Sequence, residues 1–231
     1  MSGPPVTQTK PVGVHLVGSL ALDSAEEVFR TTSEILGDRL RRIPDGETGA
    51  RSIWVGWQYN TLSRIPGLEA VQRPIKTQGT QVEFRPAEGV DPLGVDLGAL
   101  GYSDEATKSY EVFTHLKAAG VIPAQVRFQV ALPTPFAGTQ VWVERESREA
   151  LTPSFERAML KAVEEVTAAI PAAELAIQWD VCLEVGFWDR PYFNVVDDDP
   201  VDGATQAAVL GKLGALGDWV PAGVELGYHL C

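Results

Sequence analysis

Short apolar runs alternate with longer amphipathic stretches along this chain, from VGVHLVG (residues 12–18) to GVELGYHL (223–230). Parallel strands joined by crossover helices produce this rhythm; a sandwich or a helical bundle does not. Residues 1–11 carry no such run and read as a flexible lead, leaving 12–231 as one domain.

The first run is followed by a helix opening at DSAE, where Asp23 caps and Glu26 reaches back. It carries Val28, Phe29, Ile35 and Leu36 inward and stops at Gly37. A second run, RLRRIPD (39–45), leads through the turn GETG into a helix from about Arg51 to Arg64. Residues 74–102 read as a strand with an excursion, before a helix over 103–119 closed by Gly120. Next come the strand QVRFQVAL (125–132), the loop PTPFAG, and a helix opening at Thr152 with Pro153 at its first position. Phe155, Met159, Val163, Val166 and Ile170 form one stripe along that helix. The strand AELAIQWD (173–180), a helix over 202–217 and the last run complete the pattern.

These make six βα steps, whereas a closed (β/α)8 barrel has eight and typically takes about 250 residues. The expected fold is therefore α/β of the (β/α)8 TIM-barrel type, with the last two βα units missing. A doubly wound sheet of six strands is the alternative. An unfinished barrel would expose strand edges, which invites self-association.

A net charge of −12 gives phosphate backbones and anionic lipids little to bind, so neither nucleic acid nor a membrane is an expected partner. No run approaches the roughly 20 apolar residues that span a bilayer, and the start lacks a signal-peptide core. Two cysteines, Cys182 and Cys231, are too few to staple a secreted scaffold. A cytoplasmic protein with reduced thiols and a small neutral or zwitterionic ligand fits this composition.

Chemistry concentrates at the strand ends. Residues i and i+2 of a strand share a face, so His229 and Cys231 present an imidazole and a thiolate to one spot. Zinc takes such a nitrogen and sulfur pair, but needs three or four ligands. Asp180 and Cys182 can share a face in the same way, or begin an ordinary turn and fill core. Gly18 and Ser19 form either a tight loop or a contact for a ligand carboxylate. Asp45 and Glu47 form either a solvated turn or a seat for a substrate ammonium group. His15 reads as a core histidine, His115 as a surface one, and VVDDDP (195–200) as a solvated acidic loop.

Taken in order, the Gly-Ser closing the first strand, IQWD (Gln178 to Asp180) closing the fifth and His-x-Cys closing the sixth resemble the catalytic domain of cobalamin-independent methionine synthase and its single-domain relatives. IPDGETGxR (Ile43 to Arg51) is similar to those relatives too. The resemblance implies a barrel in which zinc binds the thiolate of homocysteine, and a methyl group passes to that sulfur. By matching motif, His229 and Cys231 become zinc ligands, with Cys182 a possible addition. Asp180 becomes the partner of the substrate amino group and Ser19 of its carboxylate, and Glu47 takes a substrate role.

The chain also departs from that pattern. After Asp180 the family has Glu-Pro where this chain has Val181 and Cys182, and the family's other zinc ligands, a glutamate and a second cysteine, come from strands seven and eight. No second barrel precedes the domain, so a folate donor is not implied and the methyl donor stays unidentified. The expected activity is a zinc-dependent methyl transfer to a small thiol. The rival readings are a catalytically incomplete barrel fragment acting as a binding or assembly module, and a decarboxylase-like or lyase-like barrel. The latter needs an arginine-rich pocket, whereas Arg39, Arg41 and Arg42 fall along or before the second strand rather than at its active end.

Overall fold

The structure is a computed structural model and describes residues 13–74, 80–188 and 203–231. Its strands, in chain order, are β1 (Arg42–Pro44), β2 (Leu68–Pro74), β3 (Thr80–Pro86), β4 (Arg127–Pro133), β5 (Leu175–Val181) and β6 (Glu225–Leu230). Its α-helices are α1 (Ala25–Leu36), α2 (Tyr59–Leu62), α3 (Tyr102–Ala118), α4 (Pro135–Trp142), α5 (Arg148–Ala169), α6 (Leu183–Trp188) and α7 (Gly203–Asp218).

A four-stranded parallel sheet in the order β1-β4-β5-β6 forms the centre. Spatial order follows chain order, so the described strands lack the reversal that a doubly wound sheet requires. The sheet is open among the described residues, with β6 at one edge; beyond β1 lies a single parallel bridge between Val14 and Leu40.

In-register pairing puts Ile43, Phe128 and Leu175 on one face, with Val130 beside Ile177 and Leu132 beside Trp179. Helices cover this face. Phe29 of α1 and Phe113 of α3 meet edge-on at 5.7 Å and both reach Phe128, at 6.1 and 5.5 Å. Trp179 donates from Nε1 to the Leu216 carbonyl of α7 at 3.2 Å. β5 is buried along its whole length, as a central parallel strand should be. The stripe read from α5 is buried as expected, from Phe155 to Ile170.

Several expectations are corrected. The third run does not enter the sheet. Instead β2 and β3 pair with each other antiparallel, from Leu68 opposite Pro86 to Pro74 opposite Thr80. TQVEFRP interleaves charged and apolar residues, which suits a half-exposed ribbon better than a strand buried on both faces. The described βα steps are therefore fewer than the six expected.

The first run makes only the Val14 bridge, because the Leu16 and Val17 carbonyls accept from the Gln129 and Gln178 side-chain amides instead of a ladder, at 2.9 and 2.5 Å. PTPFAG is the start of α4, with Pro135 in its first turn and Thr134 Oγ1 accepting from Ala137 N at 3.0 Å. Residues Gly49–Gln58 form a 3-10 stretch broken at Ile53 and Trp54. α5 opens at Arg148, four residues early, and carries Pro153 inside. The α1 cap is Ser24, with Glu27 reaching back to Asp23 N at 2.9 Å, and Ile35 is 72% exposed. The acidic run at 195–200 lies outside the described residues.

Candidate functional site

The polar face of the sheet carries a hydrogen-bonded line toward the C-terminal strand ends. Gln178 of β5 accepts at Oε1 from Gln129 at 3.3 Å and pairs there with His15 Nε2 at 2.8 Å, so His15 is an exposed member of this face, not a core residue. Gln178 Nε2 donates to Asp180 Oδ1 at 2.8 Å. In-register pairing places His229 beside Asp180, and their Nδ1 and Oδ1 are 3.2 Å apart. Cys231 Sγ lies 3.5 Å from the same Nδ1.

A second group comes from the IPDGETG turn. Gly46 takes φ 81°, and a Cβ there would meet Val28 Cγ2 at 2.5 Å, so only glycine fits. Glu47 then adopts φ 49°, unusual for a residue with a side chain, and its carboxylate accepts from the Ser19 hydroxyl. Asp45 holds the turn: its Oδ1 accepts from Glu47 N at 3.0 Å, and its Oδ2 accepts from Arg51 Nη2 at 2.5 Å and Ser109 Oγ at 2.7 Å. Ser19 and Glu47, read separately from sequence, are thus one pair, while Asp45 is a positioning residue.

The electrostatics are those of a crowded anionic end. Burial raises the Asp180 carboxyl above the ordinary range, against the hydrogen bonds from Gln178 and His229. Glu47 is raised too, by burial first and then by the charges of Asp180 and Asp45, while Ser19 and Arg51 act the other way. The buried Tyr102 hydroxyl beside them is pushed well up, mainly by burial and then by Glu47 and Asp180. Desolvation and the neighbouring Cys182 and Asp180 push the Cys231 thiol up to about 12. Cys182 is raised by desolvation despite its hydrogen bond to Cys231. Left to themselves, both thiols are protonated and poorly nucleophilic at neutral pH.

Among the described residues, no three His, Cys, Asp or Glu side chains converge as a metal cage. The pair of His229 and Cys231 does suit zinc: ligand bonds near 2.05 and 2.3 Å at a tetrahedral angle separate their donors by roughly 3.5 Å, as Nδ1 and Sγ are here. Cys182, hydrogen-bonded to Cys231, is the nearest further sulfur donor.

Sequence reasoning missed Arg51, Ser109 and Tyr102 as parts of this site. Arg51 ends the quoted IPDGETGxR motif, but Ser109 and Tyr102 arrive from α3, which no local pattern ties to the turn. Arg41 and Arg42 lie at the opposite end, bound to Glu225, so they supply no arginine pocket here. His115 is exposed on α3, as expected. Comparison with family models, curated proteins and solved structures gives no match to this chain.

Proposed function

We propose that the parallel strands belong to a (β/α)8-type barrel, and that this end is the site of a methionine-synthase-like, zinc-dependent methyl transfer to a small thiol such as homocysteine. The observation that carries the reading is the in-register set Asp180, His229 and Cys231 at the C-terminal ends of adjacent parallel strands, where barrel enzymes keep their chemistry.

His229 and Cys231 would hold the metal, with Cys182 as a further ligand. Zinc would favour the thiolate form of a bound thiol, which is the attacking form. The chain's own residues orient the substrate. Burial raises the proton affinity of both Glu47 and Asp180, and the Asp180 charge raises Glu47 further, so a cation beside them is favoured. An amino-acid ammonium group supplies that cation. The Ser19 hydroxyl, now donating to Glu47, is available to a substrate carboxylate once the ammonium takes over Glu47. Fixing both ends of the amino acid sets the direction of its thiol, which is the entropic part of the rate gain. A cytoplasmic setting would keep the thiols reduced.

The test is homocysteine binding by the zinc-loaded protein, followed calorimetrically. Asp180→Ala should weaken it about 10-fold or more, as expected for a lost charge-assisted contact, while zinc uptake stays unchanged. Equal affinity in the two proteins would remove Asp180 from the site, and no thiol binding at all would end the proposal.

One observation favours the assembly reading as a second possibility. The edge strand β6 exposes Leu226, Tyr228 and Leu230 at 40, 41 and 69%. A sedimentation series that stays monomeric across concentrations would dispose of it.

A further inference from the structure

Lined by none of the strand-end cluster, a cavity of about 390 Å³ lies among α4, α5, α6 and α7. Much of its wall is apolar, with Phe136, Val209, Leu213, Leu216 and Trp219. One wall residue does not belong in such a setting. Glu184, in the first turn of α6, is only 2% exposed, and its Oε2 is buried without a hydrogen-bond partner.

Among the described residues, no cation answers that oxygen. Arg148 also lines the cavity, but it donates to the Gln140 side chain at 2.8 Å and to the Gln140 and Val143 carbonyls at 3.2 and 3.1 Å. Lys212 is engaged by Glu156 at 3.2 Å. Burial pushes the Glu184 carboxyl up, with only the Thr134 hydroxyl and its own backbone N–H acting the other way.

A buried carboxylate oxygen with no donor is costly, and native structures rarely keep one without a ligand, water or functional reason. A cavity of this size with an apolar patch and a few polar groups has the form of a small-molecule site. Among the described wall residues, three carboxylates, Glu149, Glu156 and Glu184, outnumber Arg148 and Lys212, and their field favours a cation. An ammonium group would give Oε2 a charge-assisted hydrogen bond, the strongest kind it can receive.

We propose that this cavity binds a small hydrophobic amine, its ammonium donating to Glu184 Oε2 and its apolar body lying among Phe136, Leu216 and Trp219. The site shares no lining residue with the proposed zinc site, although Glu184 lies two residues from Cys182 and its charge raises both thiols.

The experiment titrates the intact chain with 2-phenylethylamine, and with 2-phenylethanol and phenylacetate as neutral and anionic relatives of similar shape. Binding is read by calorimetry and ligand-observed NMR. The amine should bind at least 10-fold more tightly than the alcohol, and phenylacetate should not bind. Glu184→Gln, which keeps the shape, should weaken the amine about 10-fold and leave the alcohol unchanged, as for loss of a charged hydrogen bond. Leu213→Trp, which fills the space and leaves Glu184 intact, should abolish binding while the circular dichroism spectrum is kept. If Glu184→Gln does not fold, the ranking of the three probes and the Leu213→Trp result still decide. A folded chain that binds none of the probes, or binds amine and alcohol equally, overturns the proposal.

Discussion

The two ends of the parallel sheet hold charge in opposite ways. At the N-terminal end Glu225 of β6 gathers three arginines: Arg41 at 2.8 Å, Arg42 at 3.7 Å and Arg127 at 3.3 Å. Arg127 goes on to tie down the Ala172, Leu175 and Gly223 carbonyls at 3.0, 3.2 and 2.8 Å. Each charge of the network has an opposite charge beside it, although Arg42 Nη1 and Glu225 Oε2 make no hydrogen bond. At the C-terminal end, the one strong cation among the described residues near Asp45, Glu47 and Asp180 is Arg51, which is committed to Asp45 at 2.5 Å. Burial raises both Glu47 and Asp180 toward their neutral forms, and at Glu47 the charges of Asp180 and Asp45 add to it. The first arrangement stabilises a fold, whereas the second leaves room for a cationic ligand that the chain does not contain.

The comparison breaks most visibly at its structural end. Glu225→Ala removes the carboxylate that three guanidinium groups share, and should cost about 2 kcal/mol in urea denaturation, below a fully buried pair because Arg41 is largely exposed and Arg127 keeps its carbonyl partners. Zinc and thiol binding in the folded fraction should be unaffected. A loss below about 0.5 kcal/mol would mean the network is only surface decoration.

Gly46→Ala tests the backbone that aims Glu47. Its new Cβ meets Val28 Cγ2 at 2.5 Å at a residue with φ 81°, so a loss of roughly 2 kcal/mol is expected by the same assay. Homocysteine affinity should fall with it, since the turn can no longer present the carboxylate.

The smallest effect has the opposite sign. A carboxyl whose folded proton affinity is raised contributes most below its ordinary value of 4.5 and loses that contribution as pH rises through its folded value. Glu47→Gln removes this burden. The variant should therefore be slightly more stable than the parent near pH 7, and the difference should vanish below about pH 4.5. A pH-independent difference between the two would show that burial does not govern Glu47.

Much of this organisation is legible in the residues. β5 announces itself through the apolar Leu175, Ala176, Ile177 and Trp179, and α5 because its stripe recurs at helical spacing. Strand ends could be read as candidate sites because in-register neighbours must bring Asp180 and His229 together. What failed was pairing: nothing in TQVEFRP says that its partner is LEAVQRP and not the central sheet. Local chemistry also misled at PTPFAG, where a proline that usually breaks regular structure sits in the first turn of α4. Ser109, Tyr102 and the solitary Glu184 are long-range facts, fixed by packing between helices that are far apart in sequence.

The most direct test of the contrast between the two ends is zinc titration of the metal-free folded chain, with His229→Ala alongside. About one zinc per chain, lost in the variant and leaving the Glu225 network undisturbed, is the expected result. A folded chain that takes up no zinc, or one whose uptake ignores His229→Ala, would contradict the reading of the C-terminal end as a metal and thiol site.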